Sequence, residues 1–590
     1  MLTKSVIHYP KITGLSNPER WNRNNSTQQK KAWPIGELLI LAYAFSAALA
    51  PLAFAETLVS PPNPNVIRGA EVVEIVVPGE FNEDLLSLPK VQIPLSNQAI
   101  EINPRQQHGR PTIVPTPSFL QFDPLRKTLN LDSSQTPSPL RSPNPFDKPK
   151  LNFAGQGFSG FAPPDTVGDV GPKHYIQMIN GPTGSASFVI YNKSGRVLVP
   201  QTALQNLAIS GPCTSGLGDP IVLYDPLADR WLMSELASTF TDLCVYISKT
   251  NNPVTGGWWI YDFTTPDFPD YPKYAVWQDA YYVSSNESSP AAYALDRTKM
   301  LAGLPATSLR FTAPFLPVFG FQALTPADLD GRTPPPAGAP GYFIRQVDDE
   351  LLFNALTGND YLEIWAFHAD FATPANSTFT KLPDIPVADF DSDLCGVDFV
   401  GCIPQPGTGT LLDPIREIVM WRVQYRNFAG AEKLVGNFVV DVNDFDDHAG
   451  IRWFELNKTI PADWSLAQQG TYSPDAEGRW MGSIAMDGCR NIALGFSVSS
   501  ESVFPSIRYA GRLASDAPGT LPQGENSILA GLFSQASSIR WGDYSSMNVD
   551  PADDRTYWYT NEYVTPPDGL WTTRIATFKF PGCRPNRGQR

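Results

Sequence analysis

Hydrophobic residues along this chain come in short runs separated by turns, a pattern typical of β-strands rather than helices. The clearest case is "RWGDYSSMNVDPADDRTYWYTNEY" (540–563), which contains an apolar strand, an Asp-rich turn and an aromatic strand. "RWMGSIAMDGCRNIALGFSV" (479–498) has nearly the same layout. Pro and Gly, at 57 and 44 of the 590 residues, break the chain often. The pattern predicts many short strands joined by tight turns.

The same unit recurs along most of the chain. Each copy begins with an Asp near a Gly or Pro and continues with a strand, an Asp-rich turn and a second strand. Spacings of about 50 to 90 residues are typical of propeller repeats, and radial packing covers sheets that cannot bury both faces alone. We predict an all-β fold, a β-propeller with seven blades favoured and six as the alternative. A β-sandwich array would repeat nearer a hundred residues. The first unit looks short, so we expect the C-terminus to supply one of its strands. The units are 164–180, 218–236, 269–287, 321–331, 411–427, 479–498 and 540–563.

The first 150 residues have a different character. Basic residues precede an apolar run (38–55) that ends in Ala53-Phe54-Ala55, so we interpret residues 1–55 as a signal peptide, with an uncleaved membrane anchor as the alternative. Residues 56–150 are rich in Pro and Ser and are predicted to be a mostly disordered linker. Within them "EVVEIVV" (71–77) could form an isolated strand. The propeller domain is then 151–590.

Charge and cysteine content narrow the function classes. The formal charge of -15 argues against binding to nucleic acid or anionic membranes. All six cysteines follow the signal, and an even number in an exported chain indicates disulfides. Proximity favours Cys213–Cys244 and Cys395–Cys402, which leaves Cys489–Cys583; buried free thiols are the competing interpretation. We expect a secreted or periplasmic monomer with no membrane span after cleavage.

Several of these motifs carry a resemblance. The hairpin at 218–236, "FPDYPKYAVW", "RWMGSIAMD" and the 540–563 stretch are similar to those of exported bacterial β-propeller proteins that mostly lack an assigned activity. This resemblance implies fold and export, and no substrate. A weaker resemblance is to sialidase-like Asp-box propellers: "SPDAEGRW" places Ser473, Asp475 and Trp480 in register, with Glu477 where the box has Gly. This partial match does not imply that the chain has sialidase activity.

A recurring acid is the first candidate site. An Asp leads each unit, and if the strand after it is the innermost of its blade, these carboxylates gather at one mouth of the central channel. Oxygen ligands suit a hard cation such as Ca²⁺, the one cofactor the sequence suggests. The alternative is that each Asp caps its own turn by accepting from backbone N–H groups. Asp413 leads the fifth unit in the same way. The candidate metal ligands are Asp165, Asp219, Asp270, Asp328, Asp475 and Asp543.

Aromatic and basic residues at the unit starts are the second candidate. Arg479, Trp480, Arg540, Trp541 and Tyr544 could form a mouth that stacks on sugars or binds anions, although strand aromatics more often belong to the core. Motifs for nucleophilic, zinc or phosphate chemistry are not found in the sequence, so catalytic residues stay unassigned. The acidic stretch Asp389, Asp391, Asp393 lacks the Gly of an EF-hand loop.

The sequence therefore predicts a binding or scaffolding module whose ligand face is the channel mouth, with a glycan or a protein as partner. A sialidase-like, glycan-active hydrolase or lyase is the alternative. Two acids held close in the mouth with separated pKa values would indicate the enzyme.

Overall fold

The computed structural model describes residues 63–91, 99–101, 123–125, 148–316, 321–349, 360–395, 401–443, 447–459, 462–566 and 569–583. The predicted signal peptide lies outside these ranges. One α-helix, α1 (Arg297–Leu301), and short 3-10 helices at Leu85–Ser87, Leu204–Leu207, Pro212–Thr214 and Pro374–Asn376 interrupt a structure made of strands. No helix in the described ranges is both long and apolar enough to cross a membrane.

Six short strands precede the repeats. The first four come from the region interpreted as a linker, and β5 and β6 follow it. They are β1 (Val66–Arg68), β2 (Glu71–Val76), β3 (Gly79–Phe81), β4 (Ile100–Glu101), β5 (Leu151–Gly157) and β6 (Phe161–Ala162).

The repeats form antiparallel meanders in which consecutive strands pair. The first meander is β7 (Val167–Val170), β8 (His174–Asn180), β9 (Ala186–Asn192) and β10 (Val197–Ala203). The second is β11 (Ile221–Asp225), β12 (Arg230–Leu236), β13 (Asp242–Ser248) and β14 (Trp258–Thr264). The third is β15 (Asp270–Val276), β16 (Ala280–Asn286), β17 (Ala291–Asp296) and β18 (Ala306–Thr312).

The later meanders follow the same order. The fourth is β19 (Thr325–Leu329), β20 (Gly341–Val347), β21 (Tyr361–His368) and β22 (Thr378–Lys381), with β23 (Ile385–Pro386) beside β21. The fifth is β24 (Val423–Phe428), β25 (Ala431–Asp441), β26 (Ala449–Thr459) and β27 (Ser465–Tyr472). The sixth is β28 (Gly478–Met486), β29 (Ile492–Ser499), β30 (Ser506–Arg512) and β31 (Asn526–Leu529). The last is β32 (Ser546–Val549), β33 (Tyr557–Thr565) and β34 (Leu570–Phe578), completed by β5.

The first strands of the meanders form a closed ring. Each contacts the first strand of the next meander, and β32 contacts β7 again. A parallel pairing of β19 with β24 joins the fourth and fifth meanders into one sheet. The ring makes the first strand the innermost of each meander, which is the condition on which the channel-mouth hypothesis depended. We call the end at which the inner strands begin, beside Asp165 and Asp219, the leading end.

Ring closure differs from the sequence prediction. The first meander has all four of its strands, whereas the last takes β5 from the N-terminal side, paired with β34 between Leu151↔Thr577 and Gly157↔Thr572. The fifth unit differs too, because its inner strand begins at Val423 instead of near Leu411. Residues 412–422 pack against the core before that strand, with Ile418 and Trp421 fully buried.

The N-terminal strands extend the outer edges of the meanders. β1 pairs with β22, β2 with β18 and β3 with β14, so the segment passes from the fourth meander to the second. The Val91 N–H then donates to the Gln201 carbonyl of the first meander over 3.1 Å. Residues 63–91 thus contain three edge strands and one short 3-10 helix, and β2 lies where the sequence allowed a strand at 71–77. An exposed sheet edge accepts any strand through backbone groups, so this pairing leaves no pattern to detect.

Asp-rich turns between the first two strands explain the repeated sequence. Asp225 Oδ1 accepts from the N–H groups of Leu227 and Ala228, both over 3.0 Å, and Asp229 then takes a positive φ of 54°. Asp550 accepts from Ala552 in the same way, and Asp554 has φ 57°. Asp satisfies the turn N–H groups and tolerates this conformation. The turn chemistry is therefore structural.

The three predicted disulfides are present: Cys213–Cys244, Cys395–Cys402 and Cys489–Cys583. The last links the turn after β28 to the residues that follow β34, and so ties the sixth meander to the last. Disulfides persist in oxidising compartments. They indicate an extracytoplasmic location.

Candidate functional site

The acids that lead the inner strands hold neighbouring meanders together. Asp165 and Asp219 have positive φ angles of 49° and 53°. Asn180 donates from Nδ2 to Asp165 Oδ2 over 3.0 Å and accepts from the Asp219 N–H over 2.9 Å. Asp165 Oδ1 accepts from the Asp543 N–H over 2.9 Å. Asp165 therefore connects the first meander with the last. Asn180 connects the first meander with the second.

The third meander repeats the arrangement. Asn286 donates to Asp270 Oδ2 over 2.9 Å and accepts from the Gln322 N–H over 2.8 Å. Asp413 and Asp475, by contrast, accept from N–H groups two residues on, at 3.1 and 2.9 Å, and cap their own turns as the alternative interpretation predicts. The leading acids thus divide into ring connectors and turn caps.

Four of the predicted metal ligands surround a lysine that the sequence analysis missed. Asp165, Asp219, Asp270 and Asp543 lie close enough to Lys273 for their charges to influence its titration. All five are buried, and Lys273 has no exposed surface. We call these five residues the lysine cluster. Burial lowers the pKa of Lys273 to about 8, against the opposing effect of the four carboxylates.

The cluster continues through Arg540 and Glu562. Arg540 donates from Nη2 to Asp543 Oδ1 over 2.7 Å and from Nη1 to the half-exposed Glu101 over 3.0 Å. Glu562 accepts from the Gly542 N–H with one oxygen, and its other buried oxygen has no hydrogen-bond partner. Burial raises the pKa of Glu562 well above its usual range, helped by Asp165 and Asp543. Burial and the neighbouring carboxylates Asp543 and Asp219 likewise raise the pKa of Asp165.

Asp328 lies in a second buried cluster. It is the fourth residue of β19, beyond the strand start, where it pairs with Arg422 Nε over 2.8 Å. Arg422 also pairs with Asp330 over 2.8 Å. Burial raises the pKa of Asp328 to about 6 and that of Asp169 to about 8, although Arg422 opposes both shifts. We call Arg422, Asp328, Asp330 and Asp169 the arginine cluster.

Asp475 and Arg479 belong to a third group, outside both clusters. Arg479 binds Asp475 at 2.7 Å and Glu525 at 2.9 Å, and Arg508 joins Glu525 at 2.8 Å and Glu477 at 3.0 Å. Arg479 is fully buried while the Asp475 side chain is half-exposed. Arg479 and Arg540, which were predicted to share one mouth, therefore pair with different acids, Asp475 and Asp543.

The predicted aromatic platform is buried. Trp480 and Trp541 pack with ring centroids 5.9 Å apart, and Trp541 donates to Ser497 Oγ over 3.0 Å. Tyr544 donates to the Pro220 carbonyl over 2.8 Å. None of the three aromatic side chains is more than 1% exposed. They are core residues, the alternative given above, and cannot stack on a sugar from solvent in this arrangement.

The geometry gives no support to the calcium prediction. In the described part of the chain, the one group of three acid, Cys or His side chains whose ligand atoms lie within 4.8 Å of each other is Asp487, Cys489 and Cys583. Those two cysteines form a disulfide. The carboxylates of the lysine cluster do not converge in this way.

Sequence reasoning could have found both missed cations. Lys273 in "DYPKYAVW" and Arg422 in "VMWRVQY" are single charges inside apolar strand runs. A lone charge in such a run is buried unless the strand is exposed, and a buried charge requires partners. Which carboxylates lie near Lys273 and Arg422 depends on how the ring closes, and no local sequence pattern encodes that.

Outside the N-terminal strands, most exposed large apolar residues lie in leading-end connections. Outside residues 63–101, the described chain exposes eight large apolar side chains; two, Val197 and Leu304, lie at the opposite end, and six lie in leading-end connections. Four of the six are on the segments 401–413 and 530–540, which we call the loop pair. The two segments are joined by hydrogen bonds from Asp413 N–H to the Ile539 carbonyl (3.0 Å) and from Ser534 Oγ to the Pro406 carbonyl (2.7 Å). The six are Ile209, Phe240, Leu411, Leu532, Phe533 and Ile539.

No protein-family model and no curated protein sequence matches the chain. Solved structures with a similar fold include Raptor from Chaetomium thermophilum, with a TM-score of 0.39 and 9% identity over 75% of this chain and 29% of Raptor. An ulvan lyase of polysaccharide lyase family 25 has a TM-score of 0.37 and 12% identity over 74% of this chain and 95% of the lyase. The WD40 domain of SCAP from fission yeast has a TM-score of 0.32 and 8% identity over 73% of this chain and 98% of that domain.

These likenesses concern the fold alone. The chain spans less than a third of Raptor, and identities of 8–12% carry no information on ligand or activity. The assignment of the fold follows from the topology described above, a closed ring of antiparallel meanders of which the fourth and fifth are joined into one sheet. The protein is an all-β protein of the β-propeller type.

Proposed function

We propose that this protein is a seven-bladed β-propeller that acts outside the cytoplasm as a protein-binding scaffold, with the loop pair at the leading end as its docking surface. The observation that carries the proposal is the exposure of Leu411, Leu532, Phe533 and Ile539, which are 38%, 63%, 39% and 38% exposed. The seven meanders whose inner strands complete the ring support the proposed blade number.

The loop pair has the properties of a protein-docking surface. Its segments are cross-linked by side-chain and backbone hydrogen bonds, including Gln535 N–H to Gln405 Oε1 at 2.8 Å, so the apolar residues have a fixed scaffold. Phe504 stacks on Phe533, with centroids 6.5 Å apart, and extends the apolar surface. Contiguous exposed apolar surface marks interaction sites. The chain's charge of -15 disfavours an acidic partner.

A protein partner fits these residues better than a glycan. Sugar recognition would use exposed aromatic rings beside polar groups, but Trp480, Trp541 and Tyr544 are in the core. The exposed residues of the loop pair are mostly aliphatic. Catalysis on a glycan would also need acids that a substrate can reach, and Asp165 and Asp543 are buried.

Site-specific photo-crosslinking in the cells that export the protein tests the proposal. A benzophenone amino acid is placed at position 532 or 539 of the loop pair, with positions 197 and 304 at the opposite end as matched exposed controls. We expect one protein to be captured from 532 and 539 and not from 197 and 304. Equal capture from both ends would contradict the assignment of this surface.

A further inference from the structure

The geometry of the lysine cluster suits an organic ammonium group and does not suit a divalent metal ion. We propose that the ring contains a site for a primary ammonium group, and that the chain fills this site with its own Lys273. The proposal concerns the ring axis and does not depend on the docking surface.

Two tyrosine rings form the walls of this site. Lys273 Nζ lies 3.4 Å from the centroid of the Tyr271 ring and 4.0 Å from that of Tyr544. It also donates to the Pro272 carbonyl over 3.2 Å. Aromatic faces attract organic ammonium groups, and more strongly when water is excluded. Lys273 has no exposed surface, so bulk solvent does not reach it.

The walls are held in position by the ring itself. Tyr271 Oη donates to the Asp543 carbonyl over 3.0 Å, and Tyr544 Oη donates to the Pro220 carbonyl over 2.8 Å. The two rings meet edge to face, with centroids 5.9 Å apart. Each tyrosine hydroxyl is therefore bonded to a different meander, and the space between the rings is fixed before any cation enters.

The surrounding acids supply charge at longer range. Asp219, Asp165, Asp543 and Asp270 all favour the charged form of Lys273. Two further charged groups bear on Asp165 and Asp543, namely Arg540, which pairs with Asp543, and Glu562. An unpaired buried charge is expensive, so this arrangement needs its internal cation.

A divalent metal requires a different geometry. Calcium takes six to eight oxygen ligands at about 2.3–2.6 Å, which demands carboxylates that converge. The described carboxylates of the lysine cluster do not meet that condition. Asp165 uses its two oxygens to accept from the Asp543 N–H and the Asn180 amide, and Asp270 accepts from Asn286. The carboxylates are thus oriented by hydrogen bonds that join neighbouring meanders. The Lys273 ammonium, between the two aromatic faces, supplies the positive charge.

Chemical rescue of Lys273→Ala tests the proposal. Thermal unfolding of the full exported chain is measured in ethylammonium chloride and in equal NaCl. We expect ethylammonium to raise the midpoint of Lys273→Ala by about 2–4 °C over NaCl, because it binds only the folded state. The matched control is Lys433→Ala, which also loses a buried lysine, paired with Glu455 in the fifth meander. It should show no such rise, and equal rises in both variants would overturn the proposal.

A second pair of variants decides the question if Lys273→Ala does not fold. Lys273→Arg keeps a cation and Lys273→Met keeps the bulk of the side chain without charge. We expect the arginine variant to have the higher midpoint; the reverse order would show that packing alone is needed. Wild type with excess Ca²⁺ and then chelator should unfold at one temperature, whereas a rise of the midpoint in Ca²⁺ that Asp219→Asn abolishes would place a metal in the ring and overturn the proposal.

Discussion

Removing each disulfide should destabilise the protein in the order of the loops that the disulfides close. The bonds Cys489–Cys583, Cys213–Cys244 and Cys395–Cys402 span 94, 31 and 7 residues. The chain-entropy relation gives losses of about 4.7, 3.7 and 2.4 kcal/mol at 25 °C. The longest loop should matter most because its bond restricts the unfolded chain most. It also joins the last two meanders of the ring.

The assay is equilibrium unfolding in urea of three double Cys→Ala variants, with the free energy obtained by linear extrapolation. Wild type in reductant is the control for packing lost in the Cys→Ala variants, because the reductant breaks the disulfides and leaves the sulfur atoms in place. Single transitions that coincide for fluorescence and circular dichroism are required before the free energies are compared. Equal losses, or the largest loss for Cys395–Cys402, would refute the reasoning from loop closure.

Three further predictions follow from the buried groups. Burial raises the folded-state pKa of Asp169 and Glu235 to about 8. The stabilisation that these two groups contribute is therefore fully present below their unfolded-state pKa and is lost as pH rises through about 8. The urea midpoint should fall between pH 5 and 8, and a rise would contradict these shifts. Gly341→Ala should cost about 1–3 kcal/mol in urea unfolding, because its Cβ would lie 2.2 Å from the Tyr282 ring; an unchanged midpoint would mean that the ring yields freely. Arg422→Gln should cost about 3–5 kcal/mol in the same assay by leaving the acids of its cluster unpaired, and a loss below about 1 kcal/mol would show that they are solvated.

Local signals carried most of what the sequence predicted correctly. The strand–turn–strand units depend on Asp residues such as Asp225 and Asp550, which bond to N–H groups within three residues, and short-range chemistry of this kind is visible in a sequence. The three cysteine pairings were also correct.

Long-range closure decided what the sequence could not predict. Asp328 and Asp165 each stand near the start of a unit, but a shift of a few residues along the strand places Asp328 beside Arg422 and Asp165 beside Lys273. Trp541 lies next to an exposed loop in sequence and is nevertheless buried, because adjacent meanders cover both faces of each sheet. The outer pairing of β2 with β18 joins segments more than two hundred residues apart.

The central claim is that the leading end, through the loop pair, is the docking surface. The most direct test is the affinity of the photo-crosslinked partner, once purified, for wild type and for the surface variants Leu532→Asp and Val197→Asp. We expect at least a tenfold weaker Kd, about 1.4 kcal/mol, for Leu532→Asp and an unchanged Kd for Val197→Asp. A Kd unchanged by Leu532→Asp and weakened by Val197→Asp would contradict the account and place the docking surface at the opposite end of the ring.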